Sequence, residues 1–66
     1  MVVLWQVPAT LLEGLPAEDQ RAILESVGKP ILLVGYDHDG RAELEFTDSK
    51  NVVHTIFVNT EFISKP

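Results

Sequence analysis

The sequence predicts a mainly β domain: five short antiparallel strands with one α-helix inserted between the first and second. Three observations carry that reading. Alternation of period two runs from Ile31 to Val58 and is broken twice by three-residue turn signals; one stretch, Pro16 to Gly28, has helical spacing; and 66 residues hold one core, hence a single domain over 1–66. A chain this short buries only about 60% of the surface its unfolded form exposes, so small domains often recruit a staple. With no cysteine in the chain, disulfides, thiolate metal sites and a thiol nucleophile are excluded, which fits a reducing cytoplasm. Self-association as a homodimer is the expected extra support.

Val2 to Val7 is rich in β-branched and aromatic residues and is stopped by Pro8, which lacks a backbone donor; it reads as the first strand. Trp5 within it is expected in the core, with a contact role as the alternative. Ala9 to Gly14 reads as a single helical turn. In the main helix Pro16 suits the first turn, Glu18 and Asp19 suit the positive end of the helix dipole, and Gly28 suits the terminus. Gln20, Ile23, Leu24 and Val27 form the predicted inner stripe, with Glu18, Arg21 and Glu25 facing away.

Ile31–Asp37, Arg41–Asp48 and Val52–Val58 read as three strands joined by His38-Asp39-Gly40 and Ser49-Lys50-Asn51. Each connector suits a type I turn followed by a residue at positive φ, supplied by Gly40 and Asn51. That geometry sets a register. Tyr36 then faces Ala42, Val34 faces Leu44 and Leu32 faces Phe46, while Phe46 faces His54, Leu44 faces Ile56 and Ala42 faces Val58. All but His54 are apolar or aromatic, so this side is the expected core. Ile31, Leu33, Gly35, Glu43, Glu45, Thr47, Val53, Thr55 and Phe57 fall on the opposite side. Asn59 to Phe62 reads as a 3₁₀ turn, and Phe62-Ile63-Ser64 as a last short strand.

This element order, and the ending Thr55-Ile56-Phe57-Val58-Asn59-Thr60-Glu61-Phe62-Ile63, resembles a small five-stranded Src-homology-3-like barrel. The run Gly35 to Asp48 is similar to small uncharacterised bacterial proteins of that type. The resemblance implies a barrel fold and carries no activity. The Tyr and Trp that bind proline-rich peptides in the best-known members have no counterpart here, so that specificity is not implied.

Ten acidic against five basic residues give a formal charge of -5, with the cations scattered. A phosphate-binding face needs a basic stripe, so neither nucleic acid nor an anionic membrane surface is an expected partner. The longest run of aliphatic residues, Ile31 to Val34, is far short of the roughly 20 residues that span a bilayer. No leader pattern opens the chain, and a cytoplasmic location is expected.

Asp37-His38-Asp39-Gly40 lacks the sixth-position glycine and the twelfth-position glutamate of a calcium loop, and reads as a turn. His38 and His54 are placed too far apart to share a metal, and His54 is expected at the rim, hydrogen-bonded or half exposed. Glu43 and Glu45, two apart on one strand, have the spacing of paired catalytic carboxylates, but outward polar residues on any strand share it. No nucleophile-type turn surrounds a serine, and neither an enzyme activity nor a cofactor is expected. What remains is an apolar patch of Ile31, Leu33, Val53 and Phe57 ringed by Glu43 and Glu45, either covered by the helix or free to bind. The expected function is a non-enzymatic protein-interaction module whose partner the sequence does not name. An acidic antitoxin or immunity-type partner of a basic protein is one alternative, and a small barrel binding RNA or single-stranded DNA is the other.

Overall fold

The computed structural model describes residues 1–66. The elements run β1 (Val2–Leu4), α1 (Ala9–Leu12), α2 (Ala17–Ser26), β2 (Pro30–Tyr36), β3 (Ala42–Thr47), β4 (Val53–Val58), a 3₁₀ turn (Thr60–Phe62) and β5 (Ile63–Ser64). The five strands are antiparallel and form one sheet in the order β4-β3-β2-β1-β5. No helix is long and apolar enough to cross a membrane.

Both hairpin turns form as their residues dictate. Asp37 Oδ1 accepts the backbone N–H groups of Asp39 (3.0 Å) and Arg41 (2.8 Å), and Asp48 Oδ1 accepts those of Lys50 (2.8 Å) and Val52 (3.0 Å). Gly40 and Asn51 take the positive φ that each turn needs, 81° and 67°. These are the same device built twice. The β3–β4 register follows as expected, pairing Ala42 with Val58, Leu44 with Ile56 and Phe46 with His54.

The β2–β3 register starts as expected, at Tyr36 opposite Ala42, and then departs. Gly35 faces Glu43, but Leu33 faces Leu44 and Leu32 faces Glu45, leaving Val34 without a partner. This β-bulge inserts one residue and reverses the parity of everything before it, because strand side chains alternate faces with period two. Ile31, predicted on the outer face, is therefore core at 5% exposure, and Leu33 packs half-buried against the same cluster. Leu32, predicted inside, is 45% exposed. The signal for the bulge was present in Gly35, since an isolated glycine within a strand pattern marks such sites.

The core joins Val2 and Leu4 of β1, Ile31 of β2, Ala42, Leu44 and Phe46 of β3, Ile56 and Val58 of β4, and Ala22 and Ile23 of α2. Leu4, Ile23 and Leu44 are fully buried, each such side chain contributing about 1.5–3 kcal/mol relative to exposure. Of the predicted helix stripe Ile23 is buried, Gln20 and Val27 are half-buried, and Leu24 is 53% exposed. Small residues fill its place: Ala22 and Ser26 are buried, and the Ser26 hydroxyl donates to the Ile23 carbonyl at 2.6 Å. Trp5, expected in the core, lies beyond the end of β1 at 54% exposure.

The expected barrel is an open sheet, and its inserted segment holds the single turn expected after Pro8, α1, followed by the main helix. No ladder joins β4 to β5. With only two residues, β5 is spent on β1, where Val3 pairs with Ser64 and Leu4 with Ile63. Leu11, Leu12 and Leu15 from α1 and the link after it pack with Ile23 on the inner face instead. Both β4 and the two-residue β5 are therefore edge strands.

The bulge parity has a direct consequence for stability. Ile31→Val is expected to lower the unfolding free energy by about 0.5–1.5 kcal/mol. Leu32→Ala, which removes more carbon, is expected to change it by about 0.5 kcal/mol or less. Urea denaturation of the two variants checks this, and the unbulged register requires the reverse order.

Candidate functional site

Three strands present the outer face of the sheet. Glu45 lies between Leu32 and Thr55, Glu43 between Gly35 and Phe57, and Thr47 opposite Val53. Of the predicted patch, Glu43, Glu45, Val53 (60% exposed) and Phe57 (39%) are found there, while Ile31 and Leu33 are not. Leu32 takes their place and the exposed, unpaired Val34 lies beside it. The helices pack on the other side, so no element of the chain covers this face.

The arrangement also inverts the expected pattern. Glu43 and Glu45 stand on β3, the middle one of these three strands, with Leu32 beside Glu45 on β2 and Phe57 beside Glu43 on β4, and neither has an ion-pair partner. The nearby cation is already engaged. Arg41 holds its guanidinium carbon 5.6 Å from the Phe57 ring centre while its Nε donates to Asp37 Oδ2 at 2.8 Å. The largest hollow, about 510 Å³ between α2 and the ends of β2 and β3, has Glu25, Glu45 and Asp48 among its walls and Lys29 as its one basic side chain.

A second constellation joins the sheet to the helix. His54 stacks on Phe46 with ring centres 5.3 Å apart, and its Nε2 lies 2.8 Å from Asp48 Oδ2. An ionised carboxylate can only accept, so Nε2 carries the donated proton. Nδ1 lies 3.7 Å from Asp19 on α2. The sequence placed His54 opposite Phe46 at the rim, but Asp19 is 35 positions away and no local pattern links them. His38, by contrast, is exposed on its turn beside Asp39 at 3.5 Å. No three His, Cys, Asp or Glu side chains are grouped so as to hold a metal ion.

The two turn aspartates are tuned by the bonds that close the turns. For Asp48 the hydrogen bond from His54 is the largest influence, followed by the Val52 N–H, and the carboxyl is held below its ordinary range. Around Asp37 desolvation pushes upward, but the Arg41 N–H and guanidinium together with the Asp39 N–H outweigh it and the net direction is down. Both carboxylates are consumed by internal donors, which is why Asp37-His38-Asp39-Gly40 is a turn.

No family model, curated protein or solved structure matches this chain.

A carboxyl whose affinity for protons falls on folding stabilises the fold above its unfolded pKa, and that contribution is lost as pH falls through the folded value. The contribution of Asp37 and Asp48 to stability is therefore expected to be present in full above about pH 4 and to be lost below it as the two carboxylates take up protons. Asp48→Asn keeps an acceptor for the turn N–H groups but not the charge. Urea midpoints between about pH 6 and about pH 2 are expected to show a shallower acid limb in that variant than in the wild type.

Proposed function

We propose that this chain is a non-enzymatic protein-interaction module that docks a basic, apolar-flanked segment of another protein on the outer face of β2, β3 and β4. The observation that carries this reading is the pair Glu43 and Glu45, central on an uncovered face and without counter-ions, between Leu32 on one side and Val53 and Phe57 on the other. A partner with Lys or Arg at its centre and apolar groups on both sides would supply the missing charge and bury the flanks. The excess of acids over the whole chain would add long-range steering toward such a partner.

An antitoxin or immunity-type role is the narrower version of the same reading, in which the basic segment belongs to an enzyme. Nucleic acid fits less well, because its phosphates would meet Glu43 and Glu45 and the nearby Arg41 is committed to Asp37. The strand order, with β2 shared between β1 and β3 and a 3₁₀ turn before β5, supports an open variant of the Src-homology-3-like barrel. A cytoplasmic setting fits a chain without cysteine.

The test is capture on immobilised protein of a set of peptides with one or two central Lys or Arg residues between apolar ones, alongside their acidic counterparts. Basic peptides are expected to bind and to weaken as salt is raised. Glu43→Gln with Glu45→Gln, and separately Leu32→Ser, are each expected to weaken binding about tenfold, equivalent to about 1.4 kcal/mol. Equal capture of both peptide sets, or binding unchanged in the glutamine variant, would refute the reading.

A further inference from the structure

The sheet has two edges, β4 and the two-residue β5, and the composition of the longer one, β4, is unusual for an edge. Natural edge strands are blunted by lysine, proline, bulges or inward charges. Val53-His54-Thr55-Ile56-Phe57-Val58 carries no lysine and no proline, and its pairing with β3 is unbroken by any bulge. Because Asp48 N–H donates to the Val52 carbonyl at 2.9 Å, antiparallel alternation turns the backbone groups of His54, Ile56 and Val58 toward β3. Those of Val53, Thr55 and Phe57 point away from the sheet. No turn, loop or cap hydrogen bond uses them.

A groove of about 460 Å³ runs along this edge, with Leu11, Leu15 and Ile23 on the helical side and every residue from Val53 to Phe57 on the other. Consecutive residues can line one groove only if it follows the strand's edge, since alternate side chains face opposite ways. Asp19 lies beside His54 at one end, and Arg41 lies over Phe57 at the other.

We infer that β4 pairs antiparallel with β4 of a second copy of this chain, about a two-fold axis through Thr55. The strand is complementary to itself in that register. Thr55 meets Thr55 of the second copy, and Val53 meets Phe57 of the second copy on both sides of the axis. Each of these pairs exchanges both of its N–H···O bonds, which satisfies the free edge groups. Threonine pairs and aromatic with β-branched pairs are among the favourable cross-strand combinations. The central glutamates do not oppose this register: three strand spacings separate the two β3 strands by about 14 Å, beyond the screening length of about 8 Å at physiological salt.

Sedimentation equilibrium and amide hydrogen exchange on the whole chain, from about 10 μM to about 1 mM, test this. A rise toward twice the 7.3 kDa chain mass is expected. The amides of Val53, Thr55 and Phe57 are expected to exchange at least about tenfold more slowly at the high end, with those of His54, Ile56 and Val58 changing less. Thr55→Lys sets like charges opposite each other on the axis and is expected to keep the chain monomeric, with an unchanged circular dichroism spectrum. Thr55→Pro removes only the outward N–H and provides a second variant with the same expectation. A monomer throughout the range would overturn the inference. So would a dimer that both variants leave intact, or protection of these three amides only when an unrelated extended peptide is added.

Discussion

The sheet depends on two carboxylates that each close a turn. Asp37 and Asp48 gather backbone N–H groups that a three-residue loop leaves unpaired, and each keeps a second oxygen for a side chain beyond the turn, Arg41 or His54. A turn fixed in this way leaves the flanking strands one register. That register stacks Ala42, Leu44 and Phe46 against Val58 and Ile56 and makes a buried face from a short chain. The Asp48 side extends further, because His54 also approaches Asp19 and so ties the second turn to α2. Charge holds the turns together here, and the same feature makes them sensitive to acid.

A single unpaired residue then decides which side of β2 is core. Val34 has no partner on β3, and every β2 residue before it changes face relative to a regular ladder. The bulge places Ile31 and Leu33 where β1, α2 and β3 converge. It leaves Leu32 and Val34 outside, where they flank the glutamates of β3. Core formation and the character of the outer face are consequences of the same insertion.

The acidic outer face and the open edge meet at β4, where the Val53 and Phe57 side chains flank the glutamates and their backbone groups line the edge, but the two follow separate physics. On the outer face two unpartnered carboxylates sit between apolar flanks, so recognition there would be led by charge and depend on salt. Along β4 the free groups are backbone amides and carbonyls, whose pairing is geometric and nearly independent of salt. A short β5 pairs with β1 alone, the helices fill the inner face, and the β4 edge is left over. A small domain with a marginal core gains from pairing such an edge.

Local chemistry was sufficient for much of this molecule. Gly40 and Asn51 following type I turn residues, the period-two alternation of β3 and β4, Pro16 and Gly28 around the helix, and the 3₁₀ turn at Thr60–Phe62 all follow from backbone preferences within a few residues. For the outer face, Glu43, Glu45, Val53 and Phe57 were legible because they lie on strands whose register the second turn fixes. Ile31 and Leu33 were misplaced because alternation alone cannot locate a bulge: both parities of Ile31-Leu32-Leu33-Val34 are apolar, and Gly35 was the only mark. Ala22 and Ser26 were hidden by being small, since their burial follows from how closely α2 approaches the sheet rather than from hydrophobicity. The contact of His54 with Asp19, the open edge at β4 and the absence of closure with β5 join or separate residues far apart in the chain. Such relations are set by packing against distant partners, and only the tertiary structure decides them.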